Sequence, residues 1–292
     1  QTETNLYQVR RRVNEMYFSL LLLNEQIQLN EDVKTLLLSS EKKLSAMVKG
    51  GTAATSDLDN VRAERLSVEQ QNENLKQQKQ MLQRMLSVFC GLEVNNTQKP
   101  APVQIVSSVN NRPEMRLYNS QLELTEAKEK ALDIQLRPKL GLFAQGFYGY
   151  PGLNMFEDMM NRKWSLNGIV GIKLSWNVSA FYTHKNDKAR LSAQREIIEN
   201  AREVFLFNNK LEEIQQNENI NRYQTMMKSD DEIIVLRTNV RKAAESKLTH
   251  GIIDVISLLR EINNENAAKT QQTIHEIDML KEMYNLKYTN NE

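Results

Sequence analysis

Glycine and proline are nearly missing from most of this 292-residue chain, and that absence constrains its fold more than any motif. Residues 1–49, 52–90, 172–250 and 252–292 contain neither, while six of the ten glycines fall between Gly141 and Gly171. These two residues are the strongest punctuators of local structure. The pattern therefore predicts very long helices that turn at Gly50-Gly51 and at Gly251, interrupted by one short Gly-rich, aromatic segment. The run from Asn177 to His250 would extend roughly 110 Å as a helix. Ducts, tethers and scaffolds need rods of that length; few globular enzymes do.

Side-chain periodicity agrees. Leu6, Val9, Val13, Met16, Leu20, Leu23 and Ile27 alternate at spacings of three and four, and Leu37 and Leu44 continue one series. That spacing keeps a narrow apolar seam pointed at a partner helix. Past Gly50-Gly51, Val61, Val68, Leu75, Leu82 and Phe89 sit seven apart, so residues 1–94 read as an antiparallel helical hairpin. Residues 95–137 read as a linker with Pro100 and Pro102, then a short helix opened by Pro113 at its first turn. Residues 179–292 repeat the hairpin plan around Gly251, with a return helix from Ile252 to about Tyr288. Val48 aligns with Leu248, Gly51 with Gly251 and Leu58 with Leu258 without a gap, so the repeat is one of architecture.

Residues 138–178 are of another kind. Leu140, Leu142, Ala144, Gly146 and Tyr148 alternate with Gly141, Phe143, Gln145 and Phe147, and Leu166 to Trp176 alternate likewise after a loop. Period two on each side of a turn marks a β-hairpin. Its strands have the length and alternation of transmembrane barrel strands, with Phe147, Tyr148, Tyr150, Phe156, Trp164 and Trp176 near their ends. Two strands alone cannot cross a bilayer, because their open edges would leave backbone groups unpaired in lipid.

The balance of 38 Lys+Arg against 37 Asp+Glu gives no basic excess for a nucleic-acid partner. His184, His250 and His275 stand far apart, Cys90 is the single cysteine, and neither a metal-ligand pattern nor a Gly-rich phosphate loop occurs. No catalytic residue, cofactor or metal is expected, and the chain reads as a non-enzyme.

Three stretches resemble the TolC-like outer-membrane efflux family. Val48 to Glu64, with Gly50-Gly51, Asp57 and an Ala/Arg-rich return helix, is similar to the family's hairpin tip. Leu136-Arg137-Pro138-Lys139-Leu140-Gly141-Leu142, with Gly146 and Tyr148, resembles its Arg-Pro lead into a strand, and Trp164 to Trp176 resembles its returning strand. Two departures stand out. Ser257 occupies the place of an acid six residues past Gly251, although Asp254 is nearby, and Asn177-Val178-Ser179-Ala180 lacks the usual Pro and Gly.

The resemblance implies a homotrimer whose helical hairpins wall a periplasmic tunnel and whose strand pairs join an outer-membrane β-barrel in a Gram-negative bacterium. It implies a passive duct of a tripartite efflux or type I secretion system, worked by a periplasmic adaptor and an inner-membrane pump. The tips that would dock these partners are Lys49, Gly50, Gly51, Ser56, Asp57, His250, Gly251 and Asp254. Phe147, Tyr148, Tyr150, Trp164 and Trp176 would form a girdle in the outer-membrane lipid. Asp57 and Asp254 read either as charged constrictions or as plain helix N-terminal acids. Apolar seams such as Leu6–Ile27 and Val61–Phe89 are expected to join subunits. In the second half 75 positions separate Trp176 from Gly251, but only 50 residues precede Gly51, so an N-terminal truncation is expected. The competing reading is a soluble coiled-coil scaffold or tether with a small β-hairpin head.

Overall fold

The computed structural model describes residues 2–103, 112–162 and 164–290. In chain order its elements are α1 (Thr2–Lys49), α2 (Thr55–Cys90), α3 (Pro113–Gln135), β1 (Lys139–Gly149), α4 (Met155–Asn161), β2 (Ser165–Ser175), α5 (Ala180–Thr249) and α6 (Val255–Asn290). The fold is mainly α, built from long antiparallel helical hairpins with one β-hairpin. Two boundaries differ from the sequence reading. The loop between the strands contains the short helix α4. And α6 starts at Val255, because Ile252 and Ile253 complete the turn and Asp254 caps the helix.

The chain divides into two compact units, residues 1–114 with 206–292, and residues 115–205. Helix α5 runs without a break through the point of division. In the first unit α1 packs against α2 and α6. Around the two glycine turns, Val33, Leu37, Leu44, Leu58, Val61, Val68, Ala244, Val255, Leu258 and Ile262 form one buried cluster. A second cluster joins Phe18 and Leu21 of α1 to Ile277 and Leu280 of α6. Extended residues after α2 lie along these two helices, held where Tyr17 and Tyr284 donate to the Gln98 and Ala101 carbonyls at 2.6 and 3.2 Å.

The heptad reading needs correction at both ends. Leu20, Leu23, Val61 and Val68 are buried inside the chain, so these parts of the seams close the hairpin itself and are not free to join subunits. Leu6, Val9 and Phe89 are exposed. At the start of α1 it is Tyr7 that turns inward, stacked at 3.9 Å on Tyr288, with the Arg112 guanidinium 4.9 Å from the Tyr7 ring centre. Ring stacking and the guanidinium over the Tyr7 face hold that layer, while Leu6 and Val9 stay at the surface. Burial pushes the Tyr288 hydroxyl up to about 12, so it stays protonated and donates to the Tyr7 carbonyl at 2.6 Å.

In the second unit α3 lies along the start of α5. Asp133 meets His184 at 2.9 Å, Glu129 meets Lys188 at 3.4 Å, and Tyr118 tilts against Phe205. Between them β1 and β2 form a two-stranded antiparallel sheet in register from Lys139↔Ser175 to Gly149↔Ser165. Trp176 fastens its base by donating from Nε1 to the Leu136 carbonyl at 3.0 Å.

Candidate functional site

The two glycine turns share one backbone construction. At the first, Gly51 N–H donates to the Val48 carbonyl at 3.0 Å and Thr52 N–H to the Met47 carbonyl at 2.9 Å. At the second, Gly251 donates to Leu248 and Ile252 to Lys247 at the same distances. Both patterns satisfy the last helical carbonyls and require a left-handed residue just past the helix end. Gly51 and Gly251 supply it with φ of 71° and 68°.

The returning helices are capped differently. At the first turn the N-cap position is Ala54, which has no side-chain acceptor, so the Asp57 carboxylate reaches back to the Ala54 N–H at 3.2 Å. At the second turn the acid is itself the cap: Asp254 Oδ1 accepts from the Ser257 N–H at 2.8 Å. The absence of an acid at position 257 is thereby explained, since the carboxylate has moved three residues earlier. Its bonds to Ser257 hold the Asp254 carboxyl below the usual range. Lys49, Gly50, Gly51, Ser56, His250, Gly251 and Asp254 are exposed, and Asp57 is half-buried. The tips are brought together through their shared apolar cluster, which includes Ala53, Ile253, Val48 and Leu248.

Above the tips each hairpin is tied by a carboxylate and an arginine, in opposite senses. In the first, Glu41 of α1 accepts from Arg62 and Arg65 of α2 at 2.9 and 3.0 Å. In the second, Arg241 of α5 donates to Glu265 of α6, which also accepts from Thr238 at 3.0 Å. Burial pushes the Glu265 carboxyl up, but bonds from Lys269 and Arg241 outweigh it and hold it below its ordinary value. The hydrogen bond from Arg62 does the same for Glu41. Farther along α6, buried His275 meets Asp230 of α5 at 2.8 Å through Nδ1 and Gln271 at 2.8 Å through Nε2. Local residue patterns do not disclose these three ties, because their partners lie 21 to 45 residues apart.

The strand pair has two unlike faces. Leu140, Leu142, Ala144, Gly146 and Tyr148 pair with Leu174, Ile172, Val170, Gly168 and Leu166, so one face has no charged side chain and is apolar throughout. It is also uncovered: Leu142, Leu166 and Val170 are 84%, 83% and 82% exposed. The other face is mixed: it carries Lys139, Gln145, Asn167, Lys173 and Ser175 together with Phe143, Phe147 and Ile169, the Phe143 ring lying over Gly171. Of the expected girdle, Tyr148 and Tyr150 gather on Trp164 at the loop end, with ring centres 5.7 and 6.5 Å apart. Trp176 sits at the base against Phe181, and Phe147 alternates onto the mixed face opposite Asn167. In the loop, Asp158 accepts from the Gly152 N–H and the Ser165 hydroxyl at 2.8 and 2.6 Å.

Among the described residues, no three His, Cys, Asp or Glu side chains are grouped as a metal site requires, and no helix is long and apolar enough to cross a membrane.

No protein-family model matches the sequence, and no curated protein does either. Solved structures do match. The outer-membrane channel OprN aligns over 98% of this chain and 66% of its own, with a TM-score of 0.77 at 13% identity. A membrane protein from Pseudomonas aeruginosa gives 0.81 at 12% identity over 98% and 66%. The outer membrane protein VceC from Vibrio cholerae gives 0.78 at 12% identity over 97% and 68%. The chain thus spans about two thirds of the length of these proteins. At such identities the likeness is one of architecture: this chain has the fold of the TolC-like outer-membrane channels.

Proposed function

We propose that the chain is a subunit of an outer-membrane channel in a Gram-negative bacterium. In this reading it serves a tripartite efflux or type I secretion system as a passive homotrimeric duct. The strand pair joins a membrane barrel, and the paired helix tips, exposed and with little lateral support, are gripped by a periplasmic adaptor and its inner-membrane pump. No enzymatic step, cofactor or nucleic acid enters this reading.

The observation that carries it is the uncovered apolar strand face. Burying its Leu, Ile, Val and Tyr side chains is worth on the order of 10 kcal/mol, comparable to the whole stability of an ordinary domain. A soluble hairpin head would pack that face on helices, yet the face lies open. The opposite face, where all the charged and most of the polar side chains of the strands stand, suits a water-filled lumen, and both strand edges require neighbouring strands. Helix α5 supports assembly from copies: Val204, Phe207, Leu211 and Ile214, then Ile233, Leu236 and Val240, repeat at spacings of three and four and are exposed. Such a seam is what a partner helix covers.

The test is reconstitution. The full-length protein should need detergent for extraction, migrate as a trimer, and conduct across a planar bilayer. A protein that leaves cells without detergent and never conducts would return the scaffold reading to first place.

A further inference from the structure

We infer that the strand pair makes the duct anion-selective, through Lys139 and Lys173; this rests on the reading of β1–β2 as a barrel segment. Across the 22 positions of the two strands, these lysines are the only charged side chains, and no acid accompanies them. Register places both on one face. Lys139 opposes Ser175 and Lys173 opposes Gly141, so the two are diagonal neighbours on the side away from Leu140, Leu142, Ile172 and Leu174.

Diagonal neighbours lie roughly 7–8 Å apart, and a repulsive pair at that distance persists only where water screens it. A lysine directed into lipid is disfavoured, most at the bilayer midplane and least near its surfaces, and the opposite face, apolar throughout, is the one that suits lipid. The lysine-bearing face is therefore the wet one. Both lysines stand at the end of the hairpin that adjoins α3 and α5, where Arg137 adds a third cation just before the strand. The carboxylate nearest this end along the sequence, Asp133, is engaged by His184 and Lys188. The loop-end acids Glu157 and Asp158 lie at the far end of the strands, with Arg162 between them and β2. Repeated around a symmetric barrel, the lysines form a cationic ring inside a low-dielectric wall, which concentrates anions and depletes cations. The cargo class that passes most readily is then acidic: solutes carrying carboxylate, phosphate or sulfonate groups.

The experiment is the reversal potential of the full-length protein in a planar bilayer under a tenfold KCl gradient. The wild type should favour chloride over potassium. K139Q/K173Q should lower the permeability ratio by about twofold or more, K173E should carry it below unity, and K139R/K173R should leave it in place. For wild type alone, the preference should fade between 0.1 and 1 M salt as the screening length shrinks from about 10 to about 3 Å. Channels whose selectivity ignores both K139Q/K173Q and K173E, or does not weaken with salt, overturn the inference while leaving the barrel intact. Absence of any conductance overturns the barrel reading and the lysine ring with it.

Discussion

The first and second helical hairpins have the same backbone and different chemistry. Offset by 200 residues, α1 and α5 end at Lys49 and Thr249, left-handed glycines stand at 51 and 251, and α2 and α6 begin at Thr55 and Val255. Yet Leu44 faces Ala244 in that alignment, the capping acid shifts from 57 to 254, and the tie between helices is inverted: Glu41–Arg65 against Arg241–Glu265. The repeat preserves where a turn falls and where a charge sits, not which residue supplies it. Inversion also has a consequence for pairing. A hairpin made of α1 and α6 in the same register would oppose Glu41 to Glu265, and one made of α2 and α5 would oppose Arg65 to Arg241. Like charges at those layers disfavour the exchange.

The sharpest way to break the comparison is to erase the core difference. Leu44 is 1% exposed and packs with Leu37, Leu58 and Ile262. Leu44→Ala should cost about 2–5 kcal/mol in urea unfolding, through lost transfer energy and the cavity left behind. Ala244→Leu should also destabilise, by roughly 1–3 kcal/mol, because its layer is already filled. If Leu44→Ala costs less than about 1 kcal/mol, the deeper packing of the first hairpin is not real.

Much of this was legible before any coordinates. Glycine placement located the turns, and period two located the strands, because both signals depend on backbone geometry alone. The seam was legible only in part. A heptad tells which side chains share a stripe but not what else competes for the space, so nothing in the spacing of Leu6 and Val9 disclosed that Tyr7 would turn inward to Tyr288. Helix α4 was hidden because its seven residues are too few for a periodic signal. The inverted ion pairs were readable, since positions 41, 65, 241 and 265 show their charges once the halves are aligned. The partnership of His275 with Asp230 depends on how two helices face each other, which one sequence does not specify.

A second test weighs the two ties. Glu265 is 5% exposed and its partner Arg241 half-buried, whereas Glu41 is more open to solvent. Glu265→Gln should therefore cost about 2 kcal/mol, and Glu41→Gln less than about 1. Acid should separate them too. Both carboxyls lie below their ordinary values in the folded chain, so their stabilisation is complete above the unfolded value and fades as pH falls through the folded one. That window opens below about pH 4. Glu265→Gln should flatten the acid limb of the stability curve more than Glu41→Gln does, and an equal flattening would show that the two ties are equivalent.

Where the hairpins are alike, substitutions should act alike. An added Cβ meets nothing within 4 Å at Gly51 or Gly251, so alanine there suffers only the left-handed backbone, about 1–2 kcal/mol at either position. At Gly50 the added Cβ makes ordinary contacts of 3.5 and 3.6 Å, and φ is not left-handed. Gly50→Ala should be neutral or stabilise by up to about 1 kcal/mol. Unequal losses at 51 and 251 would mean that one tip is held by something other than its turn.

The smallest effect should come from the caps, and it discriminates between two roles for the same acids. As a cap, Asp254 acts by accepting the Ser257 N–H, so Asp254→Ser and Asp254→Asn should keep the melting temperature while Asp254→Ala lowers it by about a degree or two. Asp57→Ala should do less, because Ala54 already forgoes a side-chain cap and Asp57 reaches back to the Ala54 N–H at 3.2 Å, a longer bond than the 2.8 Å one at Asp254. Acidification removes the charge but leaves an acceptor oxygen, so it should resemble Asp254→Asn more than Asp254→Ala: the carboxyl titrates below its ordinary range, and the part of its contribution that needs the charge is present at neutral pH and disappears only under strongly acidic conditions. A charged constriction behaves otherwise. Asp254→Asn would then leave the melting temperature alone but change channel conductance, whereas a pure cap leaves conductance alone as well.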